Sequence, residues 1–298
     1  ASSAASDVYK RQMFFIPLVT FAGNMKLHYD RPAEYFEEAL VIGNGTMGAT
    51  LYGGVKKDKI SFNDITLWTG EPESENSSPD AFNVIPEIRA LLDNEDYEGA
   101  DKAQYKVQGH YSENYQPLGT LTIEYLDDTA GISDYHRWLD IGNATARTQY
   151  LKDGKLFTSD YFASAPDSVI VIRLKSENKE GIHALLSFDS PLPHSSQVAD
   201  NEISVEGYAA YHSFPVYYKA EDKHRYDPER GIHFKTLVRV LSVDGSVKNR
   251  YSDSRIEIDG STEVLILIAN VTSFNGFDKD PVLSLIHISE PTRHSLIS

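Results

Sequence analysis

Cysteine is absent from the 298 residues of this chain, which excludes disulfides and thiolate metal sites. The absence does not identify a compartment, because many exported bacterial proteins also lack cysteine. Basic residues are scarce: 28 Lys and Arg stand against 44 Asp and Glu, a formal net charge of −16. A protein that binds nucleic acid needs a basic surface facing the phosphates. The charge therefore argues against a nucleic-acid partner and fits neutral glycans better.

Several catalytic signatures are also missing. No histidines have the HxxxH or HExxH spacing of a metal site, so the sequence predicts no metal. The GxSxG elbow of a serine hydrolase and phosphate-cradling loops are absent too. The string GxGxxG at residues 43–48 matches the dinucleotide fingerprint, but that fingerprint requires a following helix, and the pattern here predicts a strand. No cofactor is predicted.

The two ends differ in composition from the rest of the chain. The apolar run MFFIPLVTFAG at residues 13–23 is too short to span a bilayer. Because the run ends in the small residues Ala22 and Gly23, we interpret 13–24 as the remnant of a signal peptide, which predicts export and no membrane partner. A buried first strand is the alternative. Residues 1–12 and 283–298 resemble translated adapter or cloning sequence, which leaves 25–282 as the expected domain.

Residues 38–72 are the stretch around which the chain is organised. Glycines mark a turn, residues 49–55 alternate in strand fashion, and a return strand through Ile60 and Phe62 ends near Trp68. This pattern predicts a strand hairpin that places Trp68 at the end of a sheet.

From residue 118 onward, short segments rich in β-branched and aromatic residues alternate with turn residues. They predict a mostly β fold, a multi-stranded antiparallel sandwich of the supersandwich kind. The run TEVLILIANV at 262–271 predicts a central strand covered on both faces. Apolar residues at helical spacing between 84 and 105, with a break at Asn94 and Glu95, predict a short helical hairpin.

Several motifs point to a known family. GNGTMGATLYGGV at 43–55, followed by ISFNDITLWTGEP at 60–72, resembles the N-terminal domain of glycoside hydrolase family 95, the inverting alpha-L-fucosidases. Further landmarks follow in the same order: YQPLG at 115–119, FASAPD at 162–167, and TSF at 272–274 before Asp280 and Pro281. The resemblance covers residues 27–281.

The resemblance implies a function for a longer protein. It implies the accessory N-terminal domain of an exported enzyme that hydrolyses terminal alpha-L-fucosides, typically 1,2-linked, or the similar L-galactosides, by inversion and without a cofactor. In that family the acid and the base lie in a later helical barrel, so no catalytic residue carries over and this chain alone is expected to be inactive. The expected partners are the fucosylated glycan and that barrel. The alternative is a stand-alone glycan-binding sandwich without catalysis.

Aromatic and amide side chains in three loops are the candidate site. Such groups stack on the apolar faces of sugars and bind hydroxyls. We expect them to meet at one end of the sandwich and to face the substrate or the barrel. The candidates are Asn63, Asp64, Trp68, Tyr115, Gln116, Tyr211, His212 and Tyr217. The competing interpretation packs Trp68 and Tyr115 under the helical hairpin. The nearby carboxylates Asp64, Glu71, Asp227 and Glu229 are interpreted individually as solvated charges.

Overall fold

Strands dominate the computed structural model, which describes residues 25–72, 80–109 and 111–282. The strands are β1 (Lys26–Tyr29), β2 (Leu40–Gly43), β3 (Met47–Leu51), β4 (Lys57–Asp64), β5 (Gly119–Tyr125), β6 (Ile132–Asp140), β7 (Thr145–Lys152), β8 (Lys155–Ser164), β9 (Val169–Ser176), β10 (Ile182–Asp189), β11 (His194–Ala199), β12 (Glu202–Tyr208), β13 (His212–Ser213), β14 (His224–Arg225), β15 (His233–Ser242), β16 (Ser246–Arg250), β17 (Arg255–Ser261) and β18 (Glu263–Thr272). The helices are α1 (Ala81–Asp93) and α2 (Tyr97–Gln104), so the predicted mostly β class with a short helical excursion is confirmed. The segments interpreted as adapter, signal peptide and tail, 1–12, 13–24 and 283–298, lie outside the described residues.

Two antiparallel sheets form the body of the molecule. The nine-stranded sheet has the order β1-β6-β7-β8-β9-β18-β15-β12-β11, and the seven-stranded sheet has the order β16-β17-β10-β5-β4-β3-β2. Strands β13 and β14 form a separate two-stranded ribbon. Burial alternates along β4, whose inward positions Asp58, Ile60, Phe62 and Asp64 face the nine-stranded sheet. The core lies between the two sheets.

The organising stretch forms three consecutive strands, β2, β3 and β4, in the seven-stranded sheet. A strand follows the glycines, as predicted. The turn between β3 and β4 covers residues 52–56, where Gly53 takes a positive φ of 70° and Gly54 N donates to Asp58 Oδ1 at 2.9 Å. A carboxylate on the next strand thus fixes the position of the turn.

Strand β18 is the predicted central strand. It lies sixth in the nine-stranded sheet, between β9 and β15. Its inward residues join the main core, while Leu267 and Ala269 pack with Val169 and Val171 on the outer face. The continuous apolar run is therefore explained by burial on both faces.

The sandwich has two different ends. We call residues 64–72, 111–118, 209–232 and 272–282 the loop end, where β4 and β18 finish and the Thr66 hydroxyl contacts the Thr272 hydroxyl. We call residues 126–131, 153–154, 177–181 and 243–245 the turn end. There Lys152 Nζ donates to the carbonyl oxygens of Asp128 and Ala130 at 2.8 and 2.6 Å. The strands run between these two ends.

The helical hairpin leaves from the loop end, between residues 72 and 111. Helix α2 begins with Asp96, whose Oδ1 accepts from Gly99 N at 2.9 Å, as an N-cap side chain does. The predicted break at Asn94 and Glu95 is confirmed, with Glu95 at a positive φ of 60°. Within the described ranges, neither helix has the length and hydropathy needed to cross a bilayer.

Candidate functional site

Trp68 stands on the loop that follows β4. Its indole Nε1 donates to the Ile65 carbonyl at 2.9 Å, and its ring lies 5.3 Å from that of Tyr115, centroid to centroid. Trp68 remains 44% exposed. Burial raises the pKa of Tyr115, the charge of Asp64 acts in the same direction, and a hydrogen bond with Asn63 opposes both. The indole N–H is tied inward while much of the ring stays exposed at the surface.

Asp64 and Gln116 lie beneath this pair rather than beside it. Asp64 is 2% exposed, which corrects its interpretation as a solvated charge. One carboxylate oxygen accepts from Thr66 N and the Thr66 hydroxyl at 2.9 and 2.7 Å, and the other accepts from Asn270 Nδ2 at 2.8 Å. Gln116 is buried and its backbone N–H donates to the Leu67 carbonyl at 2.9 Å. In this arrangement both residues support the loop from inside.

Glu113 connects the three candidate loops. Its Oε1 lies 2.7 Å from His212 Nδ1, and its Oε2 accepts from Ser213 N at 3.1 Å and from the Thr69 hydroxyl. Sequence reasoning missed this residue. Its local sequence does not distinguish Glu113 from the other 43 Asp and Glu residues of the chain. Only the approach of two distant segments gives it a role.

The segment 209–232 carries the remaining candidates. The Phe214 and Tyr218 rings stack 4.7 Å apart, centroid to centroid, and Tyr111 meets Tyr217 edge-on at 6.2 Å. Tyr217 is exposed, and His212 is held by Glu113. Residues from all three predicted loops are therefore found together at the loop end.

Arg230 connects Tyr211 to the loop that carries Trp68. The Arg230 guanidinium lies 3.7 Å from the Tyr211 ring centroid and forms an ion pair with Glu71, with Arg230 Nε 2.8 Å from Glu71 Oε2. Glu71 is thus paired. Asp227 Oδ1 accepts from Glu229 N at 2.9 Å inside a turn, and Glu229 is exposed. These acids shape the loops around the aromatic groups.

A cleft of about 310 Å³ lies between the Trp68 loop and the segment 274–281. Four of its polar lining residues, Thr66, Thr69, Glu71 and Glu113, already have protein partners, and Asn275 and Lys279 also line it. The remaining lining is largely aromatic or aliphatic, with Phe274 partly exposed and Phe277 90% exposed. Across residues 25–72, 80–109 and 111–282, no group of three or more His, Asp or Glu side chains is arranged to hold a metal ion.

The sequence model of the glycosyl hydrolase family 65 N-terminal domain matches residues 27–276. The chain belongs to this family. The matched region contains all of β2 to β18, β1 except for Lys26, and most of the loop end. The expectation of a glycoside hydrolase N-terminal domain is therefore confirmed.

Three relatives of this family 65 N-terminal domain are named as alpha-fucosidases. Alpha-L-fucosidase 2 of Arabidopsis thaliana is 29% identical over 269 residues, which is 88% of this chain and 32% of the relative. Probable alpha-fucosidase A of Aspergillus niger is 28% identical over 273 residues, 85% and 31% of the two chains. The Aspergillus oryzae protein of the same name is 23% identical over 248 residues, 80% and 32%. The chain spans about a third of the length of these curated relatives.

Proposed function

We propose that residues 25–282 are the accessory N-terminal domain of an exported alpha-L-fucosidase of the family 95 type. The enzyme hydrolyses terminal alpha-L-fucosides, typically those with a 1,2-linkage. The reaction inverts the configuration at the anomeric carbon. The observation that carries the proposal is the alignment of three relatives named as alpha-fucosidases with 80–88% of this chain, using only 31–32% of their own length. The catalytic groups are assigned to a helical barrel outside this chain.

The chemistry of the loop end supports an accessory role. An inverting glycosidase needs a protonated acid and a separate base about 6.5–9.5 Å apart, with room for water between them. Glu113 Oε2 accepts from Ser213 N and the Thr69 hydroxyl, Glu71 is paired with Arg230, and Asp64 is sealed beneath the surface. None of the three is free to donate a proton to a leaving group.

The cleft supports contact with another domain more than a free sugar site. A sugar-binding site presents unsatisfied polar groups that bind hydroxyls. Here Thr66, Thr69, Glu71 and Glu113 are bonded to protein groups, which leaves Asn275 and Lys279 as the polar lining groups for a ligand, beside exposed aromatic surface. We therefore assign a barrel-facing role to Asn63, Trp68, Tyr115, Tyr211, His212 and Tyr217, with Asp64 and Gln116 as internal supports.

One observation favours the second candidate, a stand-alone glycan-binding sandwich. The fixed and partly exposed indole of Trp68 is the kind of platform on which a pyranose stacks. Titration calorimetry of this chain with a 1,2-linked fucosyl oligosaccharide distinguishes the two. The accessory role predicts no measurable heat of binding, whereas saturable binding that Trp68→Ala abolishes would favour the binding module.

The decisive test compares this chain with the longer polypeptide on a 1,2-linked fucosyl oligosaccharide. We expect fucose release by the longer polypeptide only, with the inverted anomer seen first by NMR. Turnover by this chain that exceeds a mock purification would overturn the accessory assignment. In the longer enzyme, Trp68→Ala should lower activity while the domain stays folded, and the matched control Val243→Ala at the turn end should not.

A further inference from the structure

The helical hairpin stands apart from the two sheets. None of the 13 residues of α1 is buried, and α2 buries only Ala100 and Ala103. In the described part of the chain, the two helices pack on each other and on the short turn at 105–107, without an extensive contact with any strand. The sandwich does not cover them.

Helix α1 nevertheless has apolar residues on two adjacent stripes, given about 100° of rotation per residue. Val84, Ile88 and Leu91 are half-buried. Phe82, Ile85 and Leu92 form the second stripe and are exposed, Phe82 by 82%. We call this second set the α1 stripe. A helix of this length is marginal in water unless an apolar face is packed, so the stripe is an incomplete interface.

Both roots of the hairpin are fixed at the loop end. Before α1, Glu71 pairs with Arg230, and after α2, Tyr111 packs against Tyr217 and Tyr218. The last described segment, 272–282, lines the same cleft as Pro72. Polypeptide that continues beyond residue 282 therefore starts at the same end of the sandwich as the roots of the hairpin.

We propose that the α1 stripe is a docking surface for the domain that follows residue 282 in the longer polypeptide. The inference rests on the accessory role proposed above and names a contact outside the aromatic cleft. Its occupant is the polypeptide that makes up the other two-thirds of the relatives, of which this chain covers 31–32%. The stripe requires an apolar patch on that domain.

Charge indicates the rim of the partner surface and argues against a second copy of this chain. The hairpin carries twice as many acidic as basic side chains: Glu87, Asp93, Glu95, Asp96, Glu98 and Asp101 against Arg89, Lys102 and Lys106. Two such hairpins would place like charges together in a chain of net charge −16. A patch rimmed by Lys and Arg on the following domain complements the hairpin instead.

Hydrogen exchange tests the docking. We compare the peptides that contain α1 in this chain and in the longer polypeptide, and expect exchange to slow by about tenfold or more in the latter, because docking suppresses local opening. The triple variant Phe82→Ser, Ile85→Ser, Leu92→Ser should remove that protection. The matched control Val243→Ser, 75% exposed at the turn end, should keep it.

Three results would overturn the proposal: equal exchange of α1 in both proteins, protection that rises with the concentration of this chain alone, or a lower Tm of this chain in the triple variant. The first shows no docking, the second shows pairing with a second copy, and the third shows that the stripe packs internally. Fucose release is measured in a separate assay, which distinguishes failure of the docking from failure of the fucosidase assignment. An active enzyme with unprotected α1 refutes the docking alone, and an inactive protein with protected α1 refutes the fucosidase assignment alone.

Discussion

The loop end and the turn end close the same two sheets in opposite ways. At the turn end, connections are short and, apart from the exposed Leu126 and Val243, mostly polar: Asp153 and Gly154 take positive φ angles of 51° and 73°, and Lys152 pairs with Asp128 at 2.9 Å. At the loop end, long segments leave Trp68, Phe277 and other rings at the surface. Tight polar turns are sufficient to close an end of a β-sandwich that faces solvent. This difference between the ends is what the proposed accessory role predicts, since that role requires a domain that covers the loop end.

Strand β4 shows the same contrast inside the core. Asp58 lies toward the turn end and accepts from Tyr161 OH of the opposite sheet at 2.8 Å, while Asp64 lies at the loop end and accepts from Asn270 of that sheet. Each carboxylate links the two sheets. Burial raises the pKa of Asp58 to about 6 despite the bonds it accepts. Each end of the sandwich therefore has a buried carboxylate on β4 that links the two sheets, and the two carboxylates have different bonding partners.

Breaking the link at the loop end should give the largest effect. Asp64→Ala leaves Thr66 N and the Asn270 amide buried without an acceptor, and we expect a loss of about 4 kcal/mol in the free energy of unfolding. Urea unfolding measures it. Asp64→Asn keeps one oxygen for Thr66 and should lose clearly less. Equal losses in the two variants would contradict the importance of the Asp64 oxygen that accepts from Thr66.

The link near the turn end should respond to pH. The folded pKa of Asp58, about 6, lies above the unfolded value of about 3.9, so its favourable contribution is complete below pH 4 and is lost as pH rises through 6. The loss amounts to about 3 kcal/mol between pH 4 and 7. Asp58→Asn keeps an acceptor for Gly54 and removes the charge. Its stability relative to wild type should therefore rise by that amount over the same range, as urea titrations at each pH can measure. A constant difference would be the contrary result.

Glu113 and Asp244 form a matched pair of surface-proximal acceptors, one at each end. Glu113→Ala should cost about 1–2 kcal/mol and speed hydrogen exchange at 211–214, because the bonds from Ser213 and Thr69 and the hydrogen bond with His212 are lost. Asp244→Ala removes bonds from Thr262 N and the Thr262 hydroxyl at the turn end and should leave 211–214 unchanged. Faster exchange at both ends from either variant would mean that the ends are not independent.

The smallest effect on stability should come from the exposed ring of Phe277. Phe277→Ser should shift the free energy of unfolding by less than about 0.5 kcal/mol, since the side chain is 90% exposed. Binding of a hydrophobic dye should fall, because the cleft loses part of its apolar wall. Val243→Ser at the turn end is the control and should change neither quantity. A marked fall in Tm would place Phe277 in the fold rather than on a docking face.

Most of the strands could be predicted because their signals are local. Alternation over residues 145–164 and the Asp153-Gly154 turn specify the β7 and β8 hairpin, and the apolar run of β18 specifies its central place. Asp58 could not be predicted in this way. It stands in KKDKIS, a charged string typical of a surface turn, yet the period of β4 points it inward.

The candidate site was predictable in its aromatic members and not in its connections. Trp68 is one of two tryptophans in the chain, and Tyr115 and Tyr217 are aromatic residues in loops between predicted strands. Glu113 does not, because its role depends on His212 and Ser213, about 100 residues away. The burial of Asp64 likewise depends on Asn270, which lies 206 positions along the chain.

By itself, the sequence determined the β class, the helical hairpin, the central strand and the glycoside hydrolase N-terminal character of the domain, since periodicity, turn residues and motif order act over short stretches. The tertiary structure decided which carboxylates are buried, which end of the sandwich is left apolar and where the exposed face of α1 stands. Those properties arise from contacts between segments far apart in the chain, and burial or exposure is set by what the fold brings against each side chain.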